Sequence, residues 1–372
     1  MSEIYPTRRN PKTIIIAIIL VSTIAIASFA ILTYPKPSLK VYTYDSFMLW
    51  GDNPETIDDT VFGPFEREHG IEVEIIRLPT DANGIVSRLV AEQENPQADV
   101  VIGIDNILIL QDAAKSVLEP YSSPNLNLID EEVVSALDSD HHVIPFDLGL
   151  VSIIYEMDYL NTTSHPELDN FTFTNLATDF FASSLVTENP HQSSPGLAFL
   201  LGQIAIYEKI LETDWKDWWN AVKDDVDVQA GWTEAWTIWY ESSERNMLVS
   251  YGTDPAYSSY YSGEEPNVAV APMHYNDQDY AWMQIEGIGL VKDGPNQELA
   301  KLFVDYCLSA QVQQYVGLNQ WMFPANNEVT LDDAFAYALH PDDVSLLNAL
   351  LPSSEIAANL TEWLDEWDLI MA

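Results

Sequence analysis

The sequence predicts an α/β protein of two lobes joined by two chain crossings. Three observations carry this. Strand-like runs alternate with helical ones from Leu39 to about Val117, and again from Ser183 to Met273. Such alternation implies a mostly parallel sheet covered by helices. Two segments, "HVIPFDLGLVSIIYEMD" and "YAWMQIEGIGLVKD", are too long and too apolar for ordinary strands and fit a chain passing out to a second lobe and back. The 372 residues are also enough for two domains of about 100–200 residues. The expected division is 38–145 with 285–372 as the first lobe and 146–284 as the second.

The elements follow in order. "LKVYTYDSF" reads as a strand, "TVFGPFEREHG" as a helix, "IEVEIIRLP" as a strand and "ANGIVSRLVAEQE" as a helix. "ADVVIGID" is a continuous apolar strand, followed by a helix over about 107–117. In the second region "SSLVTENP" is a strand and "SSPGLAFLLGQIAIYEKILE" a helix. Trp215, Trp218, Trp219 and Val222 fall at helical spacing, a core stripe. "MLVSYGT" and "NVAVAPM" are strands, with a loop between them carrying Asp254, Tyr257, Tyr260 and Tyr261. "NQELAKLFVDYCLS" is amphipathic, with Asn296 as its cap, and "NLTEWLDEWDLIM" is again helical.

Composition excludes several classes. Fifty-eight acids against 15 bases give a net charge of −43. Phosphate backbones need basic patches, so nucleic acid is excluded as a partner. The acidity fits a soluble or salt-adapted surface and also a field that draws cations. Cys307 is the only cysteine. It rules out an internal disulfide and a Cys-rich metal site, and it sits on the apolar face of its helix as a small hydrophobe. Arg8, Arg9 and Lys12 precede 21 uncharged residues from Thr13 to Thr33. That length spans a bilayer, and the flanking bases favour the cytoplasmic side. Residues 1–34 therefore read as a membrane anchor, or as a signal segment cleaved near Ala25-Ile26-Ala27. Either places the bulk of the chain outside, which the sequons at Asn161, Asn170 and Asn359 suit.

Several motifs carry chemistry. In "SSPG", Ser194 suits a helix cap and Pro195 the first helical position, and the free N–H groups there favour an anion. In "GWTEAWTIWY" most of the aromatic stripe belongs in a core, but Trp232 beside Gly231 stands at the helix start, able to face a cleft. The tyrosines of "SYGTDPAYSSYY" exceed what packing needs, and aromatic faces attract cations. The pair Tyr260-Tyr261 leaves a ferric-ion site open. Asp45, Asp81, Asp105 and Asp147 stand at or near strand ends, where they can pair with a cation or an amino group. His141-His142 has no carboxylate or third histidine at ligand spacing, so no metal is expected. There is no nucleophile elbow, Walker loop or dinucleotide fingerprint, and no enzyme is expected.

Seven stretches occur in a telling order: "VYTYDSF", "ADVVIGIDN", "IPFDLGLVSIIYE", "SSPGLAFLL", "GWTEAW", "VSYGTDPAY" and "QWMFPANN". From Leu39 to Asn327 the chain resembles the thiamine-binding proteins of ABC transporters. These are extracytoplasmic solute-binding proteins with the type 2 periplasmic-binding fold. The resemblance implies thiamine or its mono- or diphosphate as ligand, an ABC permease as partner, no cofactor and a monomer. It also implies that Tyr44, Trp50, Trp232, Tyr251, Tyr257 and Trp321 line the cleft. Ser193, with the backbone of Ser194 to Gly196, would hold a phosphate, and Asp81 would join the set. Asp45 and Asp147 belong to matching motifs and are expected to pair with the ligand. A ferric-ion or polyamine binder of the same fold, and a hydrolase built on two acids facing each other across the cleft, remain as alternatives.

Overall fold

Residues 36–372, apart from Asp81 and Ser243, are described by a computed structural model. The uncharged 13–33 run expected to anchor the chain lies outside these residues. Among the described residues no helix is long and apolar enough to cross a membrane.

The chain enters at β1 (Ser38–Tyr44), which pairs in parallel with β2 (Glu72–Leu78) and β3 (Val100–Asp105). Helix α1 (Ala82–Ala91) connects the last two, and β3 is buried along its whole length. A two-residue strand β4 (Leu118–Glu119) precedes β5 (Ile144–Glu156). Next come β6 (Leu185–Glu188), α2 (Ser194–Ile206), α3 (Lys216–Val222) and β7 (Asp227–Gln229). They are followed by α4 (Trp232–Glu241), β8 (Met247–Tyr251), α5 (Asp254–Ser262) and β9 (Val268–Ala271). The strands β10 (Met273–Tyr275) and β11 (Gln278–Val291) then lead to α6 (Gln297–Cys307). Short strands β12 (Phe323–Pro324) and β13 (Ser345–Leu346) precede the last helix, α7 (Ser353–Met371).

The main sheet runs β2-β1-β3-β11-β5-β8-β6-β7. It is mixed rather than mostly parallel. Both ends are parallel, but β11 is antiparallel to β3 and β5, and β5 to β8. The reason is the crossings themselves. The chain goes out along β5 and returns along β11, and these two lie side by side, Trp282 opposite Val151 and Ile288 opposite Ile144.

Two large hydrophobic clusters flank this pair. The first holds β5 up to Leu150, and the second holds Val151, Ile153 and Tyr155. The last helix departs from expectation. Residues 285–372 read as first-lobe sequence, yet Ile356, Leu360, Trp363 and Trp367 belong to the second cluster. Trp367 meets Trp219 edge to face at 5.7 Å, and Lys216 pairs with Glu366 at 2.7 Å. The apolar stripe of α7 matches that of α3, a match between distant segments that helical periodicity does not reveal.

Three smaller readings change. The stretch after Tyr251 is a helix, α5, with Pro255 in its first turn and Gly263 (φ 67°) closing it. Both are helix boundary signals. Asn296 precedes α6 but gives it no side-chain cap; its side chain bonds Asp99 and the Ser38 carbonyl instead. The cap of α2 is Ser193, not Ser194. Cys307 is fully buried, and burial pushes its thiol well up.

Candidate functional site

The carboxyl end of β1 delivers Tyr44 to a cleft between the two clusters. Gly103 (φ 104°) makes room for it, since a Cβ there would lie 2.6 Å from the Tyr44 ring. The Tyr44 hydroxyl donates to Glu286 Oε2 at 2.7 Å and accepts from Gln320 Nε2. Burial, then the negative charge of Glu286, pushes this phenol well up. Gln320 also holds the following loop, accepting from the Met48 N–H at 2.6 Å. That loop places Trp50. Its carbonyl accepts from Trp321 Nε1 and from the Tyr261 hydroxyl, both at 3.0 Å.

The facing wall comes from α4, β8 and α5. The Trp50 ring meets Trp232 at 5.2 Å and Trp236 at 5.4 Å, and Trp232 lies 6.4 Å from Tyr251. Tyr257 meets Trp321 edge to face at 5.2 Å. Trp321 itself adopts φ 55°, a left-handed conformation that costs a non-glycine residue about 1–2 kcal/mol. Strain of this kind is held where a side chain must be aimed. Trp232 Nε1 donates to Ser250 Oγ at 2.9 Å.

The floor is acidic. Gln284 Nε2 donates to the Tyr251 hydroxyl and to Glu286 Oε1, each at 3.0 Å. Asp147 lies opposite Glu286 in the β5–β11 register, fully buried, and neither of its oxygens has a hydrogen-bond partner among the described residues. Burial first and Glu286 second push its carboxyl well up. Asp254 opens α5 at the cleft, and burial pushes its carboxyl up to about 7.

The cleft is open to solvent, and the space between its walls amounts to about 790 Å³. Tyr44, Trp50, Ser193 and Ser194 line it, as do Trp232, Tyr251, Tyr257 and Trp321. These are eight of the residues singled out in sequence. Asp147 is not at a strand end but inside β5, beneath the lining rather than in it. Asp45 is exposed and off the lining. Gly196 sits in the first turn of α2, and Asp81 lies outside the described residues.

Trp236, Gln284, Glu286 and Gln320 also line the cleft and were not singled out. Trp236 had a signal, standing one helical turn after Trp232. Gln284 and Glu286 had another, since polar side chains at i and i+2 in an apolar strand share one face.

The helix start at α2 differs from expectation in its partners. Ser193 Oγ accepts from the Gly196 N–H, and Ser194 Oγ donates to Asp105 Oδ2. Asp105 also accepts from the Ile107 and Leu108 N–H groups. Gly196 is required here because a Cβ would lie 2.5 Å from the Glu188 carbonyl oxygen. Gly196→Ala is expected to push α2 off β6. The expected cost is about 1–3 kcal/mol of stability by thermal unfolding, in line with overpacking.

Tyr260 donates to Asp52 at 3.2 Å and Tyr261 to the Trp50 carbonyl, and neither lines the cleft. His142 does have carboxylates near it, Asp138 and Asp140. Asp138 is already engaged by the His142 ring at 3.0 Å and the His142 N–H at 2.6 Å.

A family model for bacterial extracellular solute-binding proteins matches residues 50–314. The thiamine-binding periplasmic protein of Escherichia coli K12 is 29% identical over 335 residues, 90% of this chain and 93% of that one. Its namesake in Brucella suis biovar 1 is 27% identical over 354 residues, 95% and 98% of the two chains. Among solved structures, a periplasmic thiamin binding protein superposes with a TM-score of 0.75 at 27% identity, covering 91% of this chain and 97% of that one. A ferric binding protein from Campylobacter jejuni gives a TM-score of 0.69 at 20% identity over 89% and 99%, a likeness of fold. The fold is the α/β periplasmic-binding-protein fold. The chain belongs to the family of bacterial extracellular solute-binding proteins.

Proposed function

We propose that this protein captures thiamine compounds outside the cytoplasm and delivers them to an ABC permease. The observation that carries the reading is the cleft itself, aromatic on both walls with acids at one side. Thiamine offers a thiazolium cation for aromatic faces and a flat aminopyrimidine that stacks and donates to a carboxylate. The names of the relatives support the same ligand.

In this reading 38–145 and 146–284 belong to two lobes that hinge on β5 and β11. Trp50 on one side already meets Trp232 and Trp236 on the other, a contact that opening would break and closure over the ligand would restore. The protein would act as a monomer, tethered by residues 13–33, and the closed form would dock on the permease. The family is one of binding proteins, and no covalent step is involved. Glu286 and Asp254 both line the cleft, as a hydrolase would need, but Glu286 already accepts from Tyr44 and Gln284 on its two oxygens. A ferric site would draw on paired phenolates. Here the Tyr261 hydroxyl donates to the Trp50 carbonyl and the Tyr260 hydroxyl to Asp52, and neither residue lines the cleft.

The test is a titration of residues 36–372 followed by tryptophan fluorescence. Thiamine is expected to give saturable quenching at micromolar levels or below, with none from ferric citrate or spermidine. Silence with thiamine in folded protein, at low and high salt, would overturn the reading.

A further inference from the structure

The charges around the cleft are one-sided. Asp254 and Glu286 line it, and no lysine, arginine or histidine does among the described residues. The chain as a whole carries −43. Asp254 is distinctive among the lining acids. Its Oδ2 is shielded from solvent and has no hydrogen-bond partner among the described residues. Glu286, by contrast, is held on both oxygens by Tyr44 and Gln284. Asp254 is thus a carboxylate with an unused acceptor at a cleft otherwise walled by aromatic rings.

The one feature that favours an anion is already partly engaged. Of the first positions of α2, Pro195 has no N–H, and the Gly196 and Leu197 N–H groups go to Ser193 Oγ and to the Ser193 carbonyl. The Ser194 hydroxyl donates to Asp105, so a carboxylate already stands at the positive end of the helix dipole. A phosphate ester, carrying about −1.5 to −2 charges, would meet like charge there and find no cation to pair with.

We infer that this cleft selects unphosphorylated thiamine over its phosphate esters, and that Asp254 is the specificity-determining residue. The inference rests on the thiamine reading above. Asp254 accepts from the ligand's amino group or stands beside the thiazolium as its counter-charge, and once ionised, above about pH 7, it repels a phosphoryl group in the same cleft.

The experiment is calorimetric titration of the wild type, Asp254→Asn and Asp254→Ser with thiamine, thiamine monophosphate and thiamine diphosphate. Circular dichroism would confirm the fold of each variant. The wild type is expected to bind thiamine at least tenfold more tightly than the diphosphate, with the monophosphate between. Asp254→Asn is expected to weaken thiamine about tenfold, leave the diphosphate unchanged or tighter, and bring the two within about threefold. Equal or tighter binding of the esters by the wild type would overturn the inference while leaving the thiamine reading intact. So would an unchanged ratio in a folded variant. Failure of all three ligands would instead overturn the thiamine reading. If neither variant folds, the wild-type affinities for the three ligands decide alone, and a thiamine-to-diphosphate ratio of one or less would overturn the proposal.

Discussion

Trp232→Ala is expected to lower thiamine affinity about 30- to 100-fold. Trp232 stands where the two walls meet, 5.2 Å from Trp50 and 6.4 Å from both Trp236 and Tyr251. Removing it takes away a stacking face, worth about 1–3 kcal/mol for a heteroaromatic base. It also removes a cation–π partner, worth about 0.5–2 kcal/mol. These overlap, so a loss of about 2–3 kcal/mol is expected. The indole N–H also holds Ser250 Oγ, and Ser250 in turn is bonded to Asp254, so part of the loss reaches the carboxylate. Calorimetric titration at 25 °C checks it, with a melting curve to confirm that the variant folds. A change smaller than threefold would show that Trp232 only fills space.

The second large effect is on stability. Asp147 is fully buried, faces Glu286 and lacks hydrogen-bond partners among the described residues. Its folded pKa is raised well above the ordinary 3.8 by burial, then by Glu286. The folded state therefore binds a proton that the unfolded chain releases, and stability falls as pH rises between the two values. The slope from one such group is up to about 1.4 kcal/mol per pH unit. Asp147→Asn carries no proton to lose. It is expected to be more stable than the wild type at pH 8 and to lose stability less steeply between pH 5 and pH 8. The slope should not vanish, because Asp105 and Asp254 are also raised by burial. Urea unfolding across that range is the check, and parallel slopes for the two proteins would sink the prediction.

Much of the cleft was legible as local chemistry. A phenol ending a strand and an indole in the loop after it, Tyr44 and Trp50, point to a cleft. Trp232 beside Gly231 and Tyr257 after β8 carried the same signal, whereas Tyr260 and Tyr261 carried it and do not line the cleft. What stayed hidden lay in pairing. Asp147 looks like one more acid near a strand end until the register sets it opposite Glu286. Ser194 looks like a cap for an anion until Asp105, 89 residues away, takes its hydroxyl. Asp254 looked like a loop residue because the helix signals of Pro255 and Gly263 were outweighed by the density of tyrosines.

By itself the sequence determined the alternation of strand and helix, the two long crossings, and the residue types at strand ends. These depend on local periodicity and on which side chains a core can accept. The tertiary structure alone decided that the crossings run antiparallel side by side, that the last helix packs with the second cluster, and which hydroxyls were already taken. Those outcomes follow from contacts between residues far apart in the chain, where the partner, and not the residue, sets the charge and the hydrogen bonds left for a ligand.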